Sequence, residues 1–131
     1  MPMLKTNFYE QACLVKVDGM LYKVNYVDIR YVEAIRNYIV IHGVEQKLIV
    51  HSSLKLIATY LPTERFCQVH KSYIIGLDYI KRFNHEVVCL NNDIELPISA
   101  KFFKILKDRF RVLSVCEESR IKSVLKEIST I

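Results

Sequence analysis

Phe66-Cys67-Gln68-Val69-His70-Lys71-Ser72-Tyr73-Ile74-Ile75-Gly76-Leu77-Asp78-Tyr79-Ile80 is the stretch on which the fold turns. It opens with a strand-like run, breaks at His70-Lys71-Ser72, and returns to apolar residues. Three polar side chains thus interrupt a segment that is otherwise suited to burial. A His, a Lys and a Ser side by side supply donors for phosphate oxygens and base edges. The apolar run from Tyr73 to Ile80 is the core that would hold such a loop in place.

The same texture extends outward on both sides. Leu14-Val15-Lys16-Val17 stops at Asp18-Gly19, a strong hairpin signal, and Met20 to Val24 follows. Ile29 to Ala34, Tyr38 to His42 and Lys47 to Val50 are short runs rich in β-branched and aromatic residues, which favour a pleated surface. A helix is expected over 53–61, capped by Ser52 or Ser53 and stopped by Pro62. Strands return at Phe66–His70, Ile80–Phe83, Glu86–Leu90 and Ile94–Leu96, with turns at Asn84-His85 and Asn91-Asn92-Asp93. Pro97 breaks the last of them. Ser99 then caps a helix expected to reach about Val112, with Phe103, Leu106 and Phe110 on its apolar face and Lys101, Lys104 and Arg111 on another. A further helix over 117–128 carries Ile121, Val124, Leu125 and Ile128 at helical spacing. It would pack on the domain or on a second copy.

This pattern predicts a mainly β fold with short helices, and no alternating strand–helix order of a parallel α/β sheet. Three parts are expected: a lead-in at 1–9, one domain at 10–112, and a helical extension at 113–131. The chain has 131 residues, of which 51% are hydrophobic and 25% charged, which suits a globular domain with a core. No apolar run approaches the roughly 18 residues that span a bilayer, and Met1-Pro2-Met3-Leu4-Lys5 lacks a secretory h-region. No membrane association and a cytoplasmic location follow as expectations.

Chemistry that needs a catalytic motif finds none. With three glycines there is no phosphate-cradling loop, and no nucleophile elbow occurs. The chain is therefore not expected to be an enzyme or to hold a cofactor. Cys13, Cys67, Cys89 and Cys116 are scattered, as for reduced structural thiols. Cys67 and His70 are three apart, so on an unbroken strand they would face opposite sides and not chelate a metal. His42, His51 and His85 have no ligand spacing, and no metal site is expected.

Charge points elsewhere. The formal net charge is +5, and residues 99–111 concentrate Lys101, Lys104, Lys107, Arg109 and Arg111 against Asp108 alone. Such a segment attracts a polyanion, although a solvated helix face reads the same way. Three polar stretches sit at element boundaries: Arg36-Asn37-Tyr38, His70-Lys71-Ser72 and Ser99-Ala100-Lys101. Loops hold side chains outward on a rigid scaffold. Asn can bond adenine with two hydrogen bonds, Arg or Lys can donate to guanine, and a helix start accepts phosphate. Taken singly, Arg36-Asn37 also fits a plain hairpin turn, His70 a structural histidine, and Ser99 an N-cap. Their joint occurrence carries the functional reading.

Asp28 to Ala34, Asn37 to His42, Phe66 to Ile80 and Leu96-Pro97-Ile98-Ser99 together resemble the LytTR-type DNA-binding domain in order and spacing, over about residues 10–111. The resemblance implies an elongated stack of small antiparallel β-sheets without a helix-turn-helix. It implies a bacterial transcription regulator that binds promoter direct repeats as a homodimer, with loops entering successive major grooves of double-stranded DNA. It places the DNA-contacting positions at Arg36, Asn37 and Tyr38, at His70 and Lys71, and at Ser99, Lys101 and Lys104. Relatives usually join this domain to a receiver domain in a sensor kinase system. Members often carry two basic residues after the Ser of the last motif. Ala100 occupies one of these positions here, and Lys104 can compensate one turn later. The other reading is a protein-interaction module of the same fold that has lost DNA binding.

Overall fold

The computed structural model describes residues 11–113 and 124–128. The expected lead-in at 1–9 lies outside the described residues. So does most of the C-terminal extension, of which residues 124–128 are helical. Within residues 11–113, ten strands, β1 (Ala12–Val17), β2 (Met20–Asn25), β3 (Ile29–Ile35), β4 (Tyr38–Gly43), β5 (Lys47–His51), β6 (Phe66–His70), β7 (Tyr73–Gly76), β8 (Ile80–Phe83), β9 (Val87–Leu90) and β10 (Glu95–Pro97), accompany two α-helices, α1 (Leu54–Tyr60) and α2 (Ala100–Lys107). The expected mainly β class with short helices is what the structure has.

All strand pairs among the described residues are antiparallel. They form a hairpin of β1 and β2, a five-stranded sheet in the order β5-β4-β3-β7-β6, and a three-stranded sheet in the order β10-β9-β8. Asp18 and Gly19 both have positive φ, 51° and 79°, as a two-residue primed turn requires. Ser53 caps α1 by accepting from the Leu56 amide at 3.2 Å.

Alternation along the central strands divides the interior into two cores. Val32 and Ile74 point to one side, with Ile39, Ile41, Leu48 and Phe66, beneath Leu54 and Leu61 of the α1 region and Val15 and Val24 of the hairpin. Tyr31 and Ile75 point to the other, with Cys67 and Val69, against Val88, Leu90, Leu96 and Leu106. A period of two sends neighbours to opposite faces, so each central strand is buried on both sides. That explains the continuous apolar run of β7.

Three expectations are corrected. The last helix stops at Lys107 and does not reach Val112. The Arg109 guanidinium donates to the carbonyl oxygens of Phe66 and Thr63, and Phe110 packs on Phe83 instead of extending the helical face. Arg109 and Phe110 amides instead take i−3 carbonyls, a tightened 3-10 ending. Pro97 is the last residue of β10, rather than the break that ends the strand at Leu96. Ser99 occupies the N-cap position of α2 without a side-chain capping bond.

Candidate nucleic-acid interface

Pairing of the five-stranded sheet decides which loops meet. Ile35 pairs with Tyr38, so Arg36-Asn37 is the two-residue turn between β3 and β4. His70 pairs with Tyr73, so Lys71-Ser72 is the turn between β6 and β7. Glu33 pairs with Tyr73, which brings both turns to the same end of the sheet. Backbone bonds continue the row: the Ala34 amide donates to the Ser72 carbonyl at 2.9 Å, and the Ser99 amide to the Val69 carbonyl at 3.0 Å. The start of α2 therefore stands beside the end of β6. From β4 to β6 is three strand spacings, or about 14 Å.

Each turn is built differently. Arg36 has a positive φ of 55°, a conformation that costs a non-glycine residue about 1–2 kcal/mol. Lys71 and Ser72 have no positive φ. A register shift between Gln68 and His70 supplies the bend there, with Val69 as the extra, fully buried residue. The Gln68 side-chain amide donates to the His70 carbonyl at 3.0 Å, and the Ser72 amide donates to His70 Nδ1 at 3.1 Å. These bonds hold Lys71 at an exposed turn.

The bulge corrects a further expectation. Cys67 pairs with Ile75 and His70 with Tyr73, two residues apart on one strand, so Cys67 and His70 share a face despite their odd spacing. Among the described residues, no group of three His, Cys, Asp or Glu is placed to hold a metal ion.

Arg36, Asn37, Tyr38, Lys71, Lys101 and Lys104 are exposed, and His70 and Ser99 half-buried. None of the four cations Arg36, Lys71, Lys101 and Lys104 has a carboxylate partner among the described residues. Lys101 instead lies over the Phe102 ring, 5.2 Å from its centroid. The basic segment does not act as one block, since Arg109 is drawn off to Phe66 and Thr63.

Beneath the turns lies a polar cluster. Glu33 accepts from the Tyr73 hydroxyl at 3.4 Å and meets His42 Nε2 at 2.9 Å. His42 stacks on Tyr31 with ring centroids 4.0 Å apart. Burial pushes the Tyr73 hydroxyl pKa up, and the adjacent Glu33 charge and hydrogen bond raise it further. Burial likewise raises Tyr31. His51 is one residue that local reading misses: it pairs with Tyr38 across β4 and β5, with ring centroids 5.3 Å apart, at the same sheet end. The Ser52 amide donates to the Asn37 carbonyl at 3.2 Å, tying that corner to the first turn. Only strand register reveals it.

The scaffold is antiparallel, presents three basic or amide-bearing loops at one end, and has no helix-turn-helix among its described elements. Residues 19–111 match the family model of the LytTr DNA-binding domain, and the chain belongs to that family. A solved structure with the same fold is the LytTr DNA-binding domain of a putative methyl-accepting/DNA response regulator from Bacillus cereus. It matches with a TM-score of 0.65 at 19% identity, over 76% of this chain and 95% of that one. No curated protein matches this chain. The chain is thus a DNA-binding domain of the kind used in transcription regulation. No helix among its described residues is long and apolar enough to cross a membrane.

Proposed function

We propose that the three loops at the β4–β3–β7–β6 end bind promoter DNA from its major groove, and that this domain regulates transcription in a bacterial cytoplasm. The alignment of the loops by backbone hydrogen bonds carries the reading, because no single loop distinguishes a reader from a turn. Arg36, Asn37 and Tyr38 form one contact, His70 and Lys71 the second, and Ser99, Lys101 and Lys104 the third. Two copies on direct repeats would form a homodimer on DNA, and a receiver domain of a sensor kinase system would control it. The reaction is binding alone, without cofactor or catalysis.

Selection of bound sequences from random duplex DNA tests this. A repeated short motif is expected, and its affinity should fall steeply with salt as neutralised phosphates release counterions. Lys71→Ala should cost about 1–3 kcal/mol on the selected site if it reads a base. One observation favours the second reading, a protein-interaction module: Ala100, exposed at the first position of α2, offers no charge where family members often have one. A chain that retards no DNA at low salt would overturn the DNA-binding reading.

A further inference from the structure

The middle turn has a feature that the DNA-binding reading does not require. His70 Nδ1 accepts the Ser72 amide at 3.1 Å, so that nitrogen carries no proton. A protonated Nδ1 would set donor against donor. In a neutral imidazole the proton then resides on the other nitrogen, and Nε2–H is a donor. Nε2 has no partner among the described residues and is not sealed from solvent. The backbone at this turn is already occupied. Gln68 Nε2 holds the His70 carbonyl at 3.0 Å, and the Ser72 carbonyl accepts from Ala34 at 2.9 Å. Tyr73 packs its ring 5.6 Å from the imidazole, which fixes the ring against the sheet. Lys71, next along, has three donors and no acceptor.

We infer that His70 sets the turn and, with Lys71, makes it a donor-only reader that takes a pair of adjacent acceptors. Resting on the proposed DNA-binding function, this names the partner of the middle loop. In duplex DNA two neighbouring acceptors occur on the major-groove edge of guanine, as O6 and N7, and on phosphate oxygens. Adenine offers N6–H beside N7, and cytosine offers N4–H, so each puts a donor against His70 or Lys71. The turn therefore discriminates against both. The first loop differs, because the Asn37 amide has both donor and acceptor.

The test uses the full chain and a site obtained by selection. His70→Ala removes both the turn bond and the donor. His70→Asn restores both, since its Oδ1 accepts the amide two residues on and its Nδ2 donates. Far-UV circular dichroism checks that both variants fold. Binding is then measured to duplexes carrying 7-deazaguanine or single methylphosphonates across the site. A guanine contact predicts that 7-deazaguanine at one position weakens the wild type about ten-fold. Alanine at 70 should cause a similar loss and abolish that sensitivity, while asparagine keeps affinity and sensitivity. If a methylphosphonate gives this pattern instead, the same donors hold a phosphate. A folded His70→Ala chain that binds like wild type and keeps its sensitivity overturns the inference. A wild type indifferent to every substitution does the same, and leaves DNA binding itself intact. Only a wild type that retains no DNA at low salt overturns both.

Discussion

Gly76→Ala is the sharpest test of the sheet that aligns the loops. Gly76 ends β7, where it is buried beside β3. A β-carbon added there would lie 2.6 Å from the Ile29 carbonyl oxygen, 3.3 Å from Tyr79 Cδ2 and 3.4 Å from the Arg30 carbonyl oxygen. Close carbon–oxygen contacts in sheets stop at roughly 3.3 Å, so the first carbonyl must retreat by about 0.7 Å. That oxygen belongs to backbone, not to the end of a flexible side chain. Forcing such a shift costs about 1–3 kcal/mol. Gly76 has an ordinary extended backbone, with φ −79° and ψ 124°. Without the clash, alanine there would stabilise by about 0.4–1 kcal/mol through the unfolded chain. The net expectation is a loss of roughly 1–2 kcal/mol. Urea unfolding followed by far-UV circular dichroism measures it. With a slope of about 2 kcal/mol/M, the midpoint should fall by about 0.5–1 M. A midpoint equal to or above that of the wild type, at unchanged slope, would refute this packing of β7 on β3.

Other consequences are open to direct measurement. Arg36→Gly should raise stability by about 1 kcal/mol, because glycine bears the positive φ at no steric cost, while weakening DNA binding. Opposite signs in thermal melts and gel shifts are the signature. Leu106 is fully buried and pins α2 to the second core, so Leu106→Ala should cost about 2–5 kcal/mol in chemical unfolding. Tyr26, Tyr31, Tyr73 and Tyr79 all have pKa values raised by burial. The stability they contribute is complete below the unfolded tyrosine pKa, about 10, and is lost as pH rises through the higher folded values. Alkaline unfolding should start above about pH 10 and coincide with late tyrosinate absorbance. Burial also raises the thiols of Cys13 and, despite the opposing charge of Arg109, Cys67. An aromatic disulfide reagent should label both slowly in the native chain and rapidly in denaturant.

Local features carry local information, and those were legible in the chain itself. Asp18-Gly19 announces its hairpin because both residues tolerate positive φ. Ser53 and Pro62 bracket a helix because capping and helix-stopping act within a turn. The three polar stretches stand out because each interrupts an apolar run, whatever the fold does with them. The motif order was specific enough to point to the family before any pairing was known. The sequence could not say that α2 ends at Lys107, since Phe110 continues the helical spacing. What stops the helix is a guanidinium reaching carbonyl oxygens more than forty residues away.

Tertiary structure decided which of these features act together. Arg36-Asn37 and Lys71-Ser72 become neighbours only because β3 pairs with β7, strands some forty residues apart, and Ser99 joins them through one amide on Val69. The bulge at Val69 puts Cys67 and His70 on one face, against the parity of their spacing. His51 meets Tyr38 through the register of β4 with β5. Propensity and periodicity are properties of a few consecutive residues, so the sequence determines the kinds of element and the polar turns between them. Strand order, register and bulges arise from contacts between distant segments, and these set the row of loops that faces DNA in the proposed reading.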